Sequence, residues 1–160
     1  MSVIGKRFTI FCAEYLIVAE GFVFLGCIYT LKSLSEKLSA VLSALAVLTL
    51  SLCVARVIKI FIKKDRPLGK LFIPTGRYAF PSGHATGLFS VTFFIFTESY
   101  TLGILALIIS LVIVIARIKS KVHDLKDIVG GAIIGTLVTY SSLPYIATYV
   151  GMYVVPSISW

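Results

Sequence analysis

The sequence predicts an all-α fold, a polytopic membrane helical bundle of about five transmembrane helices forming one domain over residues 1–160. Three observations lead there. Hydrophobic residues make up 58% of the chain and its mean hydropathy is +1.00, too apolar for a soluble domain of this length. Several apolar runs approach the ~20 residues that cross ~30 Å of hydrocarbon. The polar residues gather between those runs rather than along one face of them.

The first helix is expected over roughly residues 8–31. Lys6 and Arg7 precede it, as in a signal peptide, but the run is long, holds Glu14 and Glu20, and lacks a small-x-small cleavage site. A retained first helix is the expectation. The second is expected over residues 38–62, ending just before Arg66 because Pro67 biases that residue out of a helix. The connection 63–81 holds Pro67, Gly69, Pro74 and Gly76 and cannot be one helix. The third is expected from near Ser82 to Phe96 and the fourth from Thr101 to Ile118. Both are short for a span, so their ends should lie where the bilayer is thinned or protein covers them. The fifth should start near Asp127 and pass Thr139. Pro144 and Pro156 leave the C-terminal segment as one kinked helix or as a helix followed by a separate piece, a sixth element.

The formal net charge is +8, but the basic residues flank apolar runs and form no continuous tract. That pattern suits an anionic membrane surface or an anionic substrate, and no nucleic acid is expected. Cys12, Cys27 and Cys53 all lie inside apolar runs, with no Cys-x-x-Cys spacing. They read as small buried hydrophobes, with no disulfide framework and no metal site.

Alternating spans carry a geometric consequence. The second and fourth helices end on the side where the third and fifth begin. The segments 59–66, 81–84 and 117–127 therefore meet on one face. In KIFIKKDRP, Lys59 and Arg66 are seven residues apart, nearly two helical turns, and would share one side. In PSGH, Ser82 suits an N-cap and Gly83 lets backbone N–H groups approach a ligand. His84 falls in the first turn of that helix, where an anion is favoured. In RIKSKVHDLKD, Arg117 closes the fourth helix, and His123 and Asp127 are four apart, close enough to touch on one helical face. Asp124 would point away and is the weaker partner for the imidazole. A carboxylate beside a histidine sets its tautomer and stabilises its cation.

His84 and His123 are the only two histidines in the chain, and cations surround both. The chemistry that fits is phosphoryl transfer. One histidine attacks phosphorus, the other protonates the leaving oxygen, and cations with backbone N–H groups neutralise the phosphate. No carboxylate cluster has metal-ligand spacing, so metal-independent catalysis with no cofactor is expected.

Taken singly, each motif has a plainer reading. Pro81–His84 would be a simple helix start and His123 a loop histidine at the interface. Lys63, Lys64, Lys119 and Lys121 read as solvated or headgroup-facing lysines. Glu20 lies deep and should face the bundle or carry a proton, while Glu14 is shallow enough to reach headgroups. Gly131 and Gly135 form a Gly-x-x-x-Gly step suited to close packing within the fold. It is the combination of three spaced motifs that reverses the plain readings.

Together the three segments resemble the signature of the type 2 phosphatidic acid phosphatase (PAP2) superfamily. Its pattern is Lys-x6-Arg-Pro, Pro-Ser-Gly-His, and Ser-Arg-x5-His-x3-Asp. Here the residues are Lys59-x6-Arg66-Pro67, Pro81-Ser82-Gly83-His84, and Arg117-x5-His123-x3-Asp127, with Ala116 in place of the serine. The resemblance implies that His123 is the nucleophile forming a phosphohistidine, and Asp127 its orienting carboxylate. It implies that His84 is the acid for the leaving group and then the base for water. Lys59, Arg66 and Arg117 would clamp the phosphate, with Ser82 and Gly83 adding hydrogen bonds. The substrate implied is a lipid phosphate or pyrophosphate in the bilayer, with undecaprenyl pyrophosphate first. Phosphatidylglycerophosphate, lipid A or an acceptor other than water are the alternatives. A non-catalytic anionic-lipid binding or transport protein is the reading outside enzymes.

The implied location is a bacterial inner or plasma membrane, with the active site extracytoplasmic. The charge distribution points the other way, since of 15 Lys and Arg all but Lys32 and Lys37 fall on the catalytic side. A phosphate-binding face is basic for its own reasons, so the family implication is followed. A cysteine at Ser35, in a chain freed of native cysteines, is then expected to react only with reagents reaching the cytoplasmic side. Labelling from outside alone would reverse the orientation.

Overall fold

The structure is a computed structural model that describes the backbone of residues 3–31, 33–65 and 78–158, and the side chains of 17–31, 33–65 and 78–156. Five long helices run in order: α1 (Val3–Thr30), α2 (Leu34–Ile62), α3 (Gly83–Glu98), α4 (Tyr100–Lys119) and α5 (Leu125–Tyr149). A π-helical turn, Val150–Val154, and a short α6, Val155–Ile158, follow. No strand occurs among the described residues. Three stretches are long and apolar enough to cross a membrane: α2, α4, and α5 continued through Val154. Ile17–Thr30 of α1 is a shorter apolar stretch.

The ends differ from expectation for local reasons. α2 starts at Leu34 because Ser33 and Glu36 form a capping box: Glu36 N–H donates to Ser33 Oγ at 3.1 Å and Ser33 N–H to Glu36 Oε2 at 3.2 Å. It stops at Ile62, with Lys63 in the left-handed region at φ 50°. The expectation that Lys59 and Arg66 share one side falls on Arg66, which lies outside the described residues. α4 has 20 residues and is long enough to span, whereas α3 has only 16. Pro144 is held inside α5, and the helical path continues through the π turn, so the C-terminal segment is one path rather than two separate pieces.

α3 is short because it stands in the middle of the bundle. It packs against α1, α2, α4 and α5 and carries polar residues where a lipid-facing helix would carry leucine. One hydrogen-bonded chain runs from Ser51 on α2 through Ser90 to Thr139 on α5, at 3.2 and 2.7 Å. Another joins α1, α3 and α4: Thr92 Oγ1 and Ser110 Oγ donate to Glu20 Oε1 at 3.0 and 3.2 Å. Glu20 thus faces the bundle and is 3% exposed. Each such interhelical bond is worth about 0.6 kcal/mol on average in a membrane. The side chain of Glu14 lies outside the described residues. Cys27 is buried as expected, but Cys53 is exposed on the outer side of α2.

The α3–α5 crossing brings the two backbones close together. A Cβ at Gly131 would meet the Ser82 carbonyl oxygen at 2.5 Å, and one at Gly135 would collide with the Thr86 carbonyl oxygen. The Gly-x-x-x-Gly step therefore serves packing inside the fold. Gly135→Ala is expected to push α5 off α3 and destabilise the protein by about 1–3 kcal/mol. Gly26→Ala, where a Cβ meets nothing within 4 Å, should be neutral or stabilising. Thermal unfolding in detergent checks both.

Candidate active site

One end of the bundle collects the polar motifs. Lys59 comes from the last turn of α2, Ser82–His84 from the start of α3, Arg117 from the last turn of α4, and His123 and Asp127 from either side of the α5 N-terminus. The two histidine segments are tied directly. The Ser82 backbone N–H donates to the Asp127 carbonyl oxygen at 2.9 Å. Because Gly131 lacks a side chain, nothing holds the two backbones apart one turn further along.

Ser82 caps α3 as its sequence suggested, with its Oγ 3.4 Å from the Ala85 nitrogen. The first intrahelical bond is Thr86 N–H to the Ser82 carbonyl at 2.9 Å, so the N–H groups of Gly83 and His84 precede the hydrogen-bonded ladder. A Cβ at Gly83 would meet no protein atom within 4 Å. Any need for glycine there comes from what approaches the backbone from outside.

His123 does not lie on a helix with Asp127. α4 ends in a tight turn in which Lys121 takes φ 56° and Val122 N–H returns to the Arg117 carbonyl at 3.2 Å. That turn buries Val122 and aims His123 inward, and α5 begins only at Leu125. The pair meets across the helix start, with His123 Nδ1 3.6 Å from Asp127 Oδ2. This exceeds hydrogen-bond length, a common condition for catalytic contacts before substrate arrives. With Nδ1 on the carboxylate side, Nε2 is the nitrogen on the far side of the ring. Arg117 and Asp127 are buried, at 2% and 0% exposure.

Asp127 is held on both oxygens. Oδ2 accepts from the Asp124 backbone N–H at 3.0 Å, and Oδ1 accepts from Lys64 Nζ at 2.7 Å. Lys64 also reaches Asp124 Oδ2 at 3.0 Å. Burial pulls the Lys64 ammonium down, but hydrogen bonds and charge from Asp127 and Asp124 outweigh it and leave its pKa above the ordinary 10.5. Lys64 was expected to be solvated. No local pattern distinguishes it from Lys63, because only the end of α2 and the docking of α5 bring it to the carboxylates. Asp124 stands at the start of α5 and shares Lys64, while Asp127 is the carboxylate beside His123.

A groove of about 940 Å³ opens from this end, between α1 and α2 with α3 at its back. Lys59, Gly83, His84 and His123 line its polar mouth, with Tyr78, whose carbonyl accepts from Lys59 Nζ at 3.3 Å. Phe24, Leu45, Leu48, Leu52, Leu88 and Val91 line its apolar length. Leu45, Leu52 and Ile60 are exposed, so the groove faces the bilayer sideways. The structure thus brings His84, His123, Lys59 and Gly83 to one cavity, with Ser82, Arg117 and Asp127 buried beside it. Arg56, Tyr78 and Glu20 also line the groove and were not singled out for the site. The α2 stripe Leu45, Leu48, Leu52, Arg56, Lys59 was the available signal, a helical face turning from leucine to cation.

The fold and the site define a class: all-helical integral membrane proteins with two histidines and a cation at the mouth of an apolar groove. A family model described as the PAP2 superfamily matches residues 40–150, most of the chain, and the chain belongs to that superfamily. Membership supports lipid phosphatase activity in general. No curated protein and no solved structure matches the chain.

The Lys64 contacts make stability depend on pH. Its pKa is raised on folding, so its contribution is complete below 10.5 and lost as pH rises past that value. Wild type is expected to melt higher than Lys64→Met at pH 8, with the gap closing above pH 10.5. Equal melting at pH 8 would show that the pair contributes nothing.

Proposed function

We propose that the protein hydrolyses a lipid pyrophosphate or lipid phosphate monoester through a phosphohistidine on His123, without a metal. The carrying observation is a groove whose mouth holds both histidines and Lys59 and whose length is apolar. A phosphate at the mouth and a hydrocarbon chain along α2 match that division.

His123 Nε2 attacks phosphorus, and its Nδ1 side faces the Asp127 carboxylate, which stabilises the cation that develops. The bond from phosphorus to the leaving oxygen breaks, its electron pair stays on that oxygen, and His84 supplies a proton. Water then attacks the phosphohistidine, His84 accepts the water proton, and the N–P bond returns its pair to His123. Lys59, Arg117 and Arg66 offset the phosphate charge, and the backbone N–H groups of Gly83 and His84 add to them. Polyprenyl pyrophosphate is the first substrate in this reading, because a wholly hydrocarbon chain suits the leucine stripe. Phosphatidylglycerophosphate and lipid A are the other substrates to compare.

His123→Ala is expected to lower phosphate release from lipid pyrophosphate in detergent by at least about a thousandfold, and His84→Ala by about 10²–10⁴-fold. Both variants should elute and melt like wild type. Release at the wild-type rate from either variant would refute the mechanism, and binding without turnover by wild type would favour a carrier.

A further inference from the structure

We propose that Arg56 is a specificity-determining residue that binds the lipid-proximal phosphate of a pyrophosphate, making the groove selective for lipid pyrophosphates over lipid monophosphates. The proposal rests on the phosphatase reading above and deepens it by naming the substrate class.

Two independent features place Arg56. It lines the same groove as both histidines, on the α2 stripe that is leucine at 45, 48 and 52. Arg56 is therefore the first polar side chain of that α2 stripe on the way to the mouth. Lys59, the motif cation, stands one turn further out, a rise of about 4.5 Å.

The Ser51–Ser90 hydrogen bond, 3.2 Å between hydroxyls, then sets the relative height of α2 and α3. α2 runs toward the mouth and α3 away from it. Arg56 is five residues mouthward of Ser51, about 7.5 Å, and His84 is six residues mouthward of Ser90, about 9 Å. The guanidinium and the proposed acid thus approach the same level of the groove from two helices.

That level is where the leaving oxygen sits. When the terminal phosphorus is attacked, its bond to the bridging oxygen breaks and the electron pair remains on the lipid monophosphate. His84 protonates that oxygen, and Arg56 faces the phosphate that carries it. A lipid monophosphate has only carbon at this position, so Arg56 gains nothing in its transition state. An arginine suits the role because its planar fork binds phosphate oxygens in pairs and stays charged. Glu20, which also lines the groove, is engaged with Thr92 and Ser110 further in.

The test compares Arg56→Gln with wild type on two lipids sharing one polyprenyl chain, the pyrophosphate and the monophosphate, in the same detergent. The expected result is a roughly ten- to hundredfold fall in kcat/KM for the pyrophosphate, the loss of a charge-assisted contact, and a much smaller change for the monophosphate. Arg56→Lys should recover part of the loss. Equal effects on both lipids, or none on the pyrophosphate, would overturn the assignment while leaving the phosphatase reading intact. Wild type that hydrolyses neither lipid, nor any other lipid phosphate, would instead remove that reading. Matching elution and melting of the variant exclude misfolding as the cause of a selective loss.

Discussion

The site depends on one backbone contact: the Ser82 N–H on the Asp127 carbonyl, 2.9 Å long, made where α3 and α5 begin. Ser82 precedes His84 by two residues, and Asp127 follows His123 by four. Locking those two helix starts together limits where either imidazole can go. The contact needs α5 to lie against the α3 backbone, which Gly131 and Gly135 permit because any Cβ there would strike a carbonyl oxygen. Packing within the membrane favours such small-residue crossings, since lipid offers apolar side chains nothing that another helix does not.

Charge is arranged around that contact in two layers. Outside, Lys59 and Arg56 stand on α2 over the groove. Inside, Arg117 and Asp127 are buried, and Lys64 reaches Asp127 at 2.7 Å from the end of α2. A buried carboxylate is costly unless its oxygens are engaged, and here each has a donor. The carboxylate that faces His123 is thus fixed by groups that are not part of the family signature. Its orientation comes from the α2 terminus and from the α5 helix start.

The bundle itself was legible from hydropathy. Periods of apolar residues broken by polar connections placed five helices in the right order, and their alternation placed the motifs at one end. Ends were less legible. The α2 start was misplaced because Ser35–Lys37 look like a loop, while the Ser33–Glu36 capping box carries them into the helix. The end of α2 at Ile62 was legible, whereas the left-handed turn at Lys63 that closes it was not, because lysine does not advertise that conformation. His123 and Asp127 were paired correctly by spacing but for the wrong reason, since a turn and not a helical face brings them together.

By itself the sequence determined the membrane bundle, the topology and the identity of the motif residues, because hydrophobic period and local spacing are properties of the chain. Only the tertiary structure decided that Lys64 holds Asp127, that Glu20 bonds Thr92 and Ser110, and that Arg56 lines one groove with His84. Those relations join residues tens of positions apart. They follow from the register of packed helices, which serine pairs and glycine crossings set and which no single segment encodes.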